Sequence, residues 1–489
     1  MSATVHPKKV LVIGGGPAGL VSLRNLLERG QHDRVELVER RDDVGGVWYL
    51  DNPGRNSPTT QRPRWPSPAY PGLIGNVLPE FLSYSKHPFP ESPRPHQPFP
   101  TLVETYDYLR QFAEPFLKNG TIRLNTEVIS VQELEAGAGW KVLLRDWSEG
   151  ARGKEVEEIW DGVVVANGWY DNPVWPETPG LEELRELGLA KHAQSYRGPK
   201  GYEAKRCLVI GNANSSNDMA AQLTSVATLP VYQSIRRPAL PGFPRLIDER
   251  ITMVAPVSKY LLHPSADSSA PKIEVHLTDG TVLQNIDTVF VGTGYKPFPS
   301  FVHVLSHQSP STLNTVADGS DSTISTPTLA PIVSPSTNPH RVPSLHRHIL
   351  YAHNPSLAFI GAPMSHTPFT LADVASTWLA LAWAGGVAFP DTAEGRLEFE
   401  RERLTTIEQR RAASENPSVF VSYSVLVTDE QGYAAGLRED VVSVNPELDA
   451  ILPVWSNERT TLRESMWPVK LEALRYARER GYLANLEEI

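Results

Sequence analysis

The chain has 489 residues, too many for one ordinary domain of roughly 100 to 200 residues and enough to bury two or three cores. With 40% hydrophobic and 21% charged residues it can offset the entropy of ordering by apolar burial, which excludes disorder as the default. A formal net charge of −10 argues against non-specific attraction to nucleic acid or to an anionic bilayer, so any phosphate binding must be local.

The chain enters its first predicted strand within about ten residues, too early for a signal peptide to precede it. From Lys9 to Gly46 the pattern is strand, glycine turn, helix, strand. Val10 to Ile13 is an unbroken apolar run of the kind buried on both faces of a parallel sheet, and Val35 to Val38 supplies the second strand. The turn between them, Gly14-Gly-Gly-Pro-Ala-Gly19, has the form of a dinucleotide fingerprint. In it Gly14 permits the tight bend, Gly16 lets backbone amides reach a pyrophosphate, and Gly19 brings helix close to strand. Gly15, Pro17 and Ala18 complete the cradle at the helix N-terminus, which favours an anion. Glycine turns also join strands to helices in ligand-free domains. Here an acid, Glu39, follows Gly19 by twenty residues, where it suits a ribose with free hydroxyls. Arg40 comes next, and a second glycine pair in Asp43-Val-Gly-Gly-Val-Trp48 would let Gly46, Val47 and Trp48 pass against the cofactor.

A proline-rich stretch from Asn52 to Pro100 interrupts regular structure and reads as a loop layer over the first domain. A helix is expected over Leu102 to Phe116, then a small antiparallel sheet from segments at Ile122 to Val131, which contains the candidate cofactor contact Val128, and Trp140 to Arg145. Asp161 to Gly168 and Asp287 to Gly294 are both apolar strands ending in small-residue turns, expected to return the chain to a sheet edge.

Between them lies a second strand–turn–helix, Cys207-Leu-Val-Ile-Gly-Asn-Ala-Asn-Ser-Ser216. Cys207 is the only cysteine, so no intrachain disulfide and no paired-cysteine redox centre is possible; burial in the strand is expected for it. The three glycine positions of the template are Gly211, Ala213 and Ser216, so the later two carry a Cβ that would crowd pyrophosphate or sheet. Ser215, Ser216, Asn217 and Asp218 put polar groups at the helix start. Twenty residues after Ser216 stands Arg236, within a strand end that also offers Ser234 and Arg237. An arginine at this offset suits a 2′-phosphate, since its planar fork donates in parallel. The alternative is a solvated basic loop. Taken together the two units read as an oxidoreductase with FAD at the first site and NADPH at the second.

After Phe301 a Ser/Pro/Thr-rich passage at 306–340 reads as a surface excursion. Leu357 to Gly361 and an apolar helix from Leu371 to Trp383 would restore the first domain, followed by a charged, helical C-terminal extension. The expected fold class is therefore α/β, with two Rossmann-like dinucleotide-binding domains, the NADPH domain inserted into the FAD domain. The FAD domain would comprise residues 1–172 and 296–489, and the inserted domain residues 173–295. No apolar run approaches the roughly 18 to 20 residues of a membrane span, so a soluble, cytoplasmic protein is expected. His303 and His307 have helical ligand spacing but no third ligand, so no metal site is expected.

The segments Gly14 to Gly19, Gly45-Gly-Val-Trp48, Tyr70-Pro-Gly-Leu-Ile-Gly-Asn-Val-Leu-Pro79, Gly188 to Tyr196 and Val291-Gly-Thr-Gly-Tyr-Lys-Pro297 resemble the flavin-containing monooxygenases, closest to fungal-type soluble members. The resemblance runs from the N-terminus to about Trp383. Where the family reads Phe-x-Gly-x3-His-x3-Tyr, this chain has Glu186 for the Phe and keeps Gly188, His192 and Tyr196. Related Baeyer–Villiger enzymes usually end this stretch in Trp, so Tyr196 leans toward heteroatom oxidation. The family's Thr-Asn pair falls on Gly75 and Asn76.

The resemblance implies that NADPH reduces FAD, that the reduced flavin captures O2 as a hydroperoxide, and that an amine nitrogen or sulfur of a small molecule takes the terminal oxygen. Asn76 would be the catalytic amide, able to donate to that oxygen and accept from the nicotinamide. On its own, an Asn after Gly and before a proline is a turn residue, and His192 reads as a packed loop histidine. The rival readings are Baeyer–Villiger oxygenation of a ketone, an NADPH oxidase releasing peroxide, and a flavin-binding protein without turnover. The apolar C-terminal patterning leaves room for a homodimer.

Overall fold

The computed structural model describes residues 5–51, 65–92, 94–237, 245–264, 271–306, 328–415, 417–418, 420–426 and 428–479. Two parallel sheets organise it. The first has seven strands in the order 345–346, 350–351, 357–359, 162–165, 9–13, 34–38, 122–123. Its five strands from 357–359 to 122–123 run parallel, and a short antiparallel meander completes the other end. Val10, Leu11, Val12, Val163 and Val164 are wholly buried, as an unbroken apolar run in a sheet covered on both faces requires. Helices Pro17–Arg29, Leu102–Lys118 and Pro368–Trp383 cover one face. The last begins three residues earlier than the sequence pattern suggests, because Pro368 supplies a preset first turn. It is buried on nearly all sides. Its one carboxylate, Asp373, is neutralised by Arg24 at 2.6 Å and accepts from Asn25 at 3.0 Å, tying this helix to the first.

The second sheet has five strands, all parallel, in the order 251–254, 228–234, 206–210, 288–291, 190–192. Its helix is Asn214–Leu223, and a three-stranded antiparallel sheet, 257–263, 272–277 and 282–286, packs its own core with it. Cys207 is buried in this sheet, as its apolar neighbours dictate. The strands 162–165 and 288–291 were expected at sheet edges. Each lies instead in the interior, the first between 9–13 and 357–359, the second between 206–210 and 190–192, because four consecutive apolar residues need cover on both faces. The chain leaves the first sheet for the second and returns along two adjacent antiparallel segments: Val174 N–H donates to Gly294 O at 2.9 Å, and Lys296 N–H to Asn172 O at 3.0 Å.

Of the antiparallel sheet expected from Ile122 to Val131 and Trp140 to Arg145, residues 122–123 join the first sheet instead, while 126–133 and 140–146 pair antiparallel in a larger sheet with 154–160, 302–305 and 329–331, in which 302–305 runs parallel to 126–133. His303 therefore lies in a strand, not on a helix face; His307 and most of the Ser/Pro/Thr-rich passage, 307–327, lie outside the described residues. So do 52–64 of the proline-rich stretch. The C-terminal part carries helices Ala393–Ala412, Glu430–Val444 and Asn457–Glu479. Among the described residues no helix is long and apolar enough to cross a membrane.

Candidate functional site

The two glycine turns superpose in their hydrogen bonding. At the first, Gly14 N–H donates to Val38 O at 2.9 Å and Ala166 N–H to Ile13 O at 2.9 Å. At the second, Gly211 N–H donates to Ser234 O at 3.0 Å and Gly292 N–H to Ile210 O at 2.8 Å. Gly14 and Gly211 adopt φ of +109° and +119°, a backbone conformation that favours glycine. A Cβ on Gly14 would also lie 2.8 Å from Ala166 O. Both helices that follow lack a side-chain N-cap, Gly16 and Ala213 occupying those positions. By contrast Leu102–Lys118 opens with a Thr101–Glu104 capping box. Neither N-cap residue's side chain caps the first-turn amides of these two helices, an arrangement that can accommodate an anion.

Around the first turn the fit is close. A Cβ on Gly19 would stand 1.8 Å from Gly14 O, which is why this position holds glycine. Gly16 meets Gly46 backbone to backbone: a Cβ on Gly46 would come within 2.7 Å of Gly16 Cα. Gly45 N–H donates to Gly15 O at 2.9 Å, fastening the second glycine pair against the first. Glu39 is 5% exposed, and its carboxylate accepts from Gly15 N–H at 2.7 Å and Arg41 N–H at 2.9 Å. Two of a carboxylate's four lone-pair sites are so occupied, leaving two open. Arg41 was not singled out in the sequence, yet its guanidinium donates to Trp65 O at 2.6 Å and Gly46 O at 3.0 Å and holds the wall in place.

These residues line a cleft of about 520 Å³. Gly14, Gly16, Pro17, Ala18, Glu39, Arg40, Gly46, Val47, Trp48, Asn76 and Val128 all face it, so eleven of the residues expected from sequence converge on one cavity. Gly15 and Gly19 support it from behind. Arg40 pairs with Asp171 across the cleft, next to the segment that leaves the first sheet. Asn76 sits on the wall beside Gly75, whose Cα would carry any Cβ to 3.8 Å from the Trp48 ring and 3.1 Å from Pro100 O. Among the described residues the Asn76 carboxamide makes no hydrogen bond.

At the second turn the polar residues divide. Ser216 is fully buried and donates to Ile210 O and Gly292 O, each at 3.2 Å; Ser234 donates to Ala255 O at 2.9 Å; the Asn217 carboxamide accepts from Gln233 at 3.0 Å. The two hydroxyls and the Asn217 oxygen are spent on the fold, whereas the Asn217 amide nitrogen is buried with no hydrogen-bond partner among the described residues. Asp218 accepts from Tyr70 Oη at 2.7 Å, and burial raises its pKa. Arg237 donates to Pro417 O. Ser215 and Arg236 are exposed, and among the described residues the Arg236 guanidinium has no hydrogen-bond or ion-pair partner. It lies two residues past the C-terminal end of strand Thr228–Ser234, the end at which nucleotides bind open α/β sheets.

His192 ends strand Ala190–His192, packed between Trp175 and Tyr295 with ring centroids at 5.5 and 5.1 Å. Burial lowers its pKa to about 4, so it is neutral, as a packed histidine should be. Lys470 went unmarked in the sequence because it is one of many charges on a C-terminal helix. It is 4% exposed, and its ammonium donates to Gly75 O at 2.7 Å. Burial draws its pKa down to about 8 against the opposing attraction of Asp218.

A family model described as flavin-binding monooxygenase-like matches residues 7–239. Flavin-containing monooxygenase FMO GS-OX-like 7 of Arabidopsis thaliana is 30% identical over 403 residues, spanning 79% of this chain and 75% of that protein. FMO GS-OX-like 2 of the same organism is 29% identical over 411 residues, 80% and 78% of the two chains. Among solved structures, S-allyl-L-cysteine S-oxygenase from Allium sativum shares the fold with a TM-score of 0.67 at 24% identity, covering 96% of this chain and 93% of that one. A cyclohexanone monooxygenase mutant from Rhodococcus sp. Phi1 bound to NADP+ does so with a TM-score of 0.55 at 13% identity, covering 89% and 97%.

Proposed function

The chain belongs to the flavin-containing monooxygenases, and from that premise we propose that it delivers one atom of O2 to a nucleophilic nitrogen or sulfur of a small molecule. It is a flavin-dependent monooxygenase that uses FAD and NADPH. When bound, the flavin accepts hydride from NADPH and supplies electrons to O2, and the polypeptide's work is to bind, orient and exclude water.

The observation that carries the heteroatom reading is Asn76: a carboxamide on the cleft wall with no hydrogen bond of its own among the described residues. An amide there can donate to a bound oxygen without surrendering a proton, whereas an acid would hasten loss of peroxide. Trp48, Phe298, Phe301, Phe359 and Phe369 give the cleft an aromatic share of its wall, which would help to keep water from the reacting centre. The neighbour whose title names it an S-oxygenase lends support to sulfur as one acceptor. Gly14, Gly16 and Glu39 would hold the FAD pyrophosphate and ribose, and Arg236, with Ser215 at the helix start, the phosphates of NADPH. The same reading divides the chain into an FAD domain, 1–172 and 296–489, and an inserted NADPH domain, 173–295. Its support is the pairing of the two crossing segments at Pro173 and Tyr295.

The decisive experiment reduces the purified protein with NADPH without oxygen, admits air, and offers a thioether, a tertiary amine and a ketone. Sulfoxide or N-oxide formed in step with NADPH consumption is the expected result. Ester or lactone from the ketone with no heteroatom product would overturn the reading in favour of Baeyer–Villiger chemistry.

A further inference from the structure

We propose that Lys470 is a positioning residue for Asn76, gripping the peptide group that joins Gly75 to Asn76 from the C-terminal helix. The inference rests on the reading of Asn76 given above. The Lys470 ammonium donates to Gly75 O at 2.7 Å, and that carbonyl shares its peptide plane with the Asn76 N–H. One helical turn earlier Met466, wholly buried, accepts the Leu78 N–H on its sulfur at 3.3 Å. Residues four apart share a helix face, so a single face of Asn457–Glu479 holds the chain on both sides of Asn76.

Packing alone does not account for a lysine here. A buried ammonium costs several kcal/mol unless partnered, and a hydrocarbon side chain would fill the same space without that cost. What the ammonium adds is a directed donor to a carbonyl that has no other hydrogen-bond partner among the described residues. The charge is accommodated by the Phe99 ring, 4.9 Å away, and by the attraction of Asp218 on the second nucleotide helix, itself held by Tyr70. The turn carrying Asn76 is also held by Gly75 N–H to Pro100 O at 2.7 Å and by Leu102 N–H to Leu73 O at 2.9 Å. The Gly75 N–H bond acts on the peptide that precedes Gly75, whereas Lys470 grips the carbonyl of the peptide that joins Gly75 to Asn76 and through it sets where the carboxamide points.

The test uses the flavin-loaded enzyme and two readings: hydrogen exchange of the amides at 73–78, and hydrogen peroxide released per NADPH. Lys470→Met should speed exchange in that segment tenfold or more and raise peroxide release to the level of Asn76→Ala. Combining the two substitutions should add nothing further, and Lys470→Arg should recover much of both readings, which a purely structural role would not predict. If the Met variant does not accumulate, Lys470→Gln, too short to reach Gly75, should behave as described for it. Unchanged exchange or unchanged coupling in these variants, with Asn76→Ala uncoupled, overturns the proposal and leaves the reading of Asn76 intact. Coupling unaffected by Asn76→Ala overturns both.

Discussion

The Ser216 hydroxyl occupies the space that a Cβ on Gly292 would need, 2.1 Å from where that carbon would lie. At the first turn the equivalent pair is Gly19 and Ala166: there the helix residue is glycine and the strand residue carries the methyl. The two turns are thus alternative solutions to one packing problem, with the side chain on opposite partners. The serine that departs from the glycine template does not crowd the sheet, because the strand it faces has given up its own Cβ. Gly292→Ala should therefore destabilise the second sheet by about 1 to 3 kcal/mol through overpacking. Adding Ser216→Gly should restore most of that loss, and denaturant unfolding of the single and double variants reads it. Equal instability in the double variant would refute the exchange.

Much of this architecture is legible in the sequence. The run Val10 to Ile13, the glycines at 14, 16 and 19 and the acid at 39 each obey a local rule, and together they build the turn beside the cleft. What escaped is what depends on distant partners. Arg41 and Lys470 look like any surface cation in sequence, yet each donates to carbonyls of a segment remote in the chain. Ser216, Asn217 and Ser234 were expected to face a nucleotide because hydroxyls and amides suit phosphates. Burial in the second sheet sends the two hydroxyls to backbone and the Asn217 oxygen to Gln233 instead. The compensating pair Ser216 and Gly292 carried a signal, since aligning Val163-Val-Val-Ala166 with Val289-Phe-Val-Gly292 displays the missing methyl.

Glu39 is positioned by the amides of Gly15 and Arg41 before any ribose arrives. Glu39→Gln would present at most one oxygen to two donors and would lose the charge that strengthens both bonds. FAD affinity should fall roughly 10- to 100-fold, the equivalent of about 1.5 to 3 kcal/mol. Titration of flavin-free protein with FAD measures it; an unchanged dissociation constant would remove Glu39 from the ribose site.

In the proposed NADPH site Arg236 is exposed and has no hydrogen-bond or ion-pair partner among the described residues, while Arg237 donates to Pro417 O. Arg236→Ala should raise the Michaelis constant for NADPH by tenfold or more and leave that for NADH nearly unchanged, because only NADPH carries the extra phosphate. Steady-state flavin reduction with both donors checks this. Equal losses would transfer the role elsewhere, with Arg237 the next candidate.

His192 and His346 should make the fold acid-sensitive. Burial, joined at His346 by the charge of Arg347, lowers each folded-state pKa to about 4 from an ordinary 6.5. Once unfolded, either ring takes up a proton below pH 6.5, whereas the folded ring stays neutral. The unfolded state then binds more protons, so the stability each neutral ring contributes is complete above about pH 6.5 and is lost as the pH falls toward 4. Between pH 7 and pH 5 each should cost about 2 kcal/mol. In His192→Phe the ring still packs against Trp175 and Tyr295, and the bond from Gln194 N–H is forfeited together with the ring's interaction with the Gly294 backbone. The variant should be weaker at pH 7, yet its loss on going to pH 5 should shrink by about 2 kcal/mol. Denaturant unfolding at the two pH values separates these effects. An identical pH difference in wild type and variant would mean that His192 is protonated in the folded protein and that its burial does not hold it neutral.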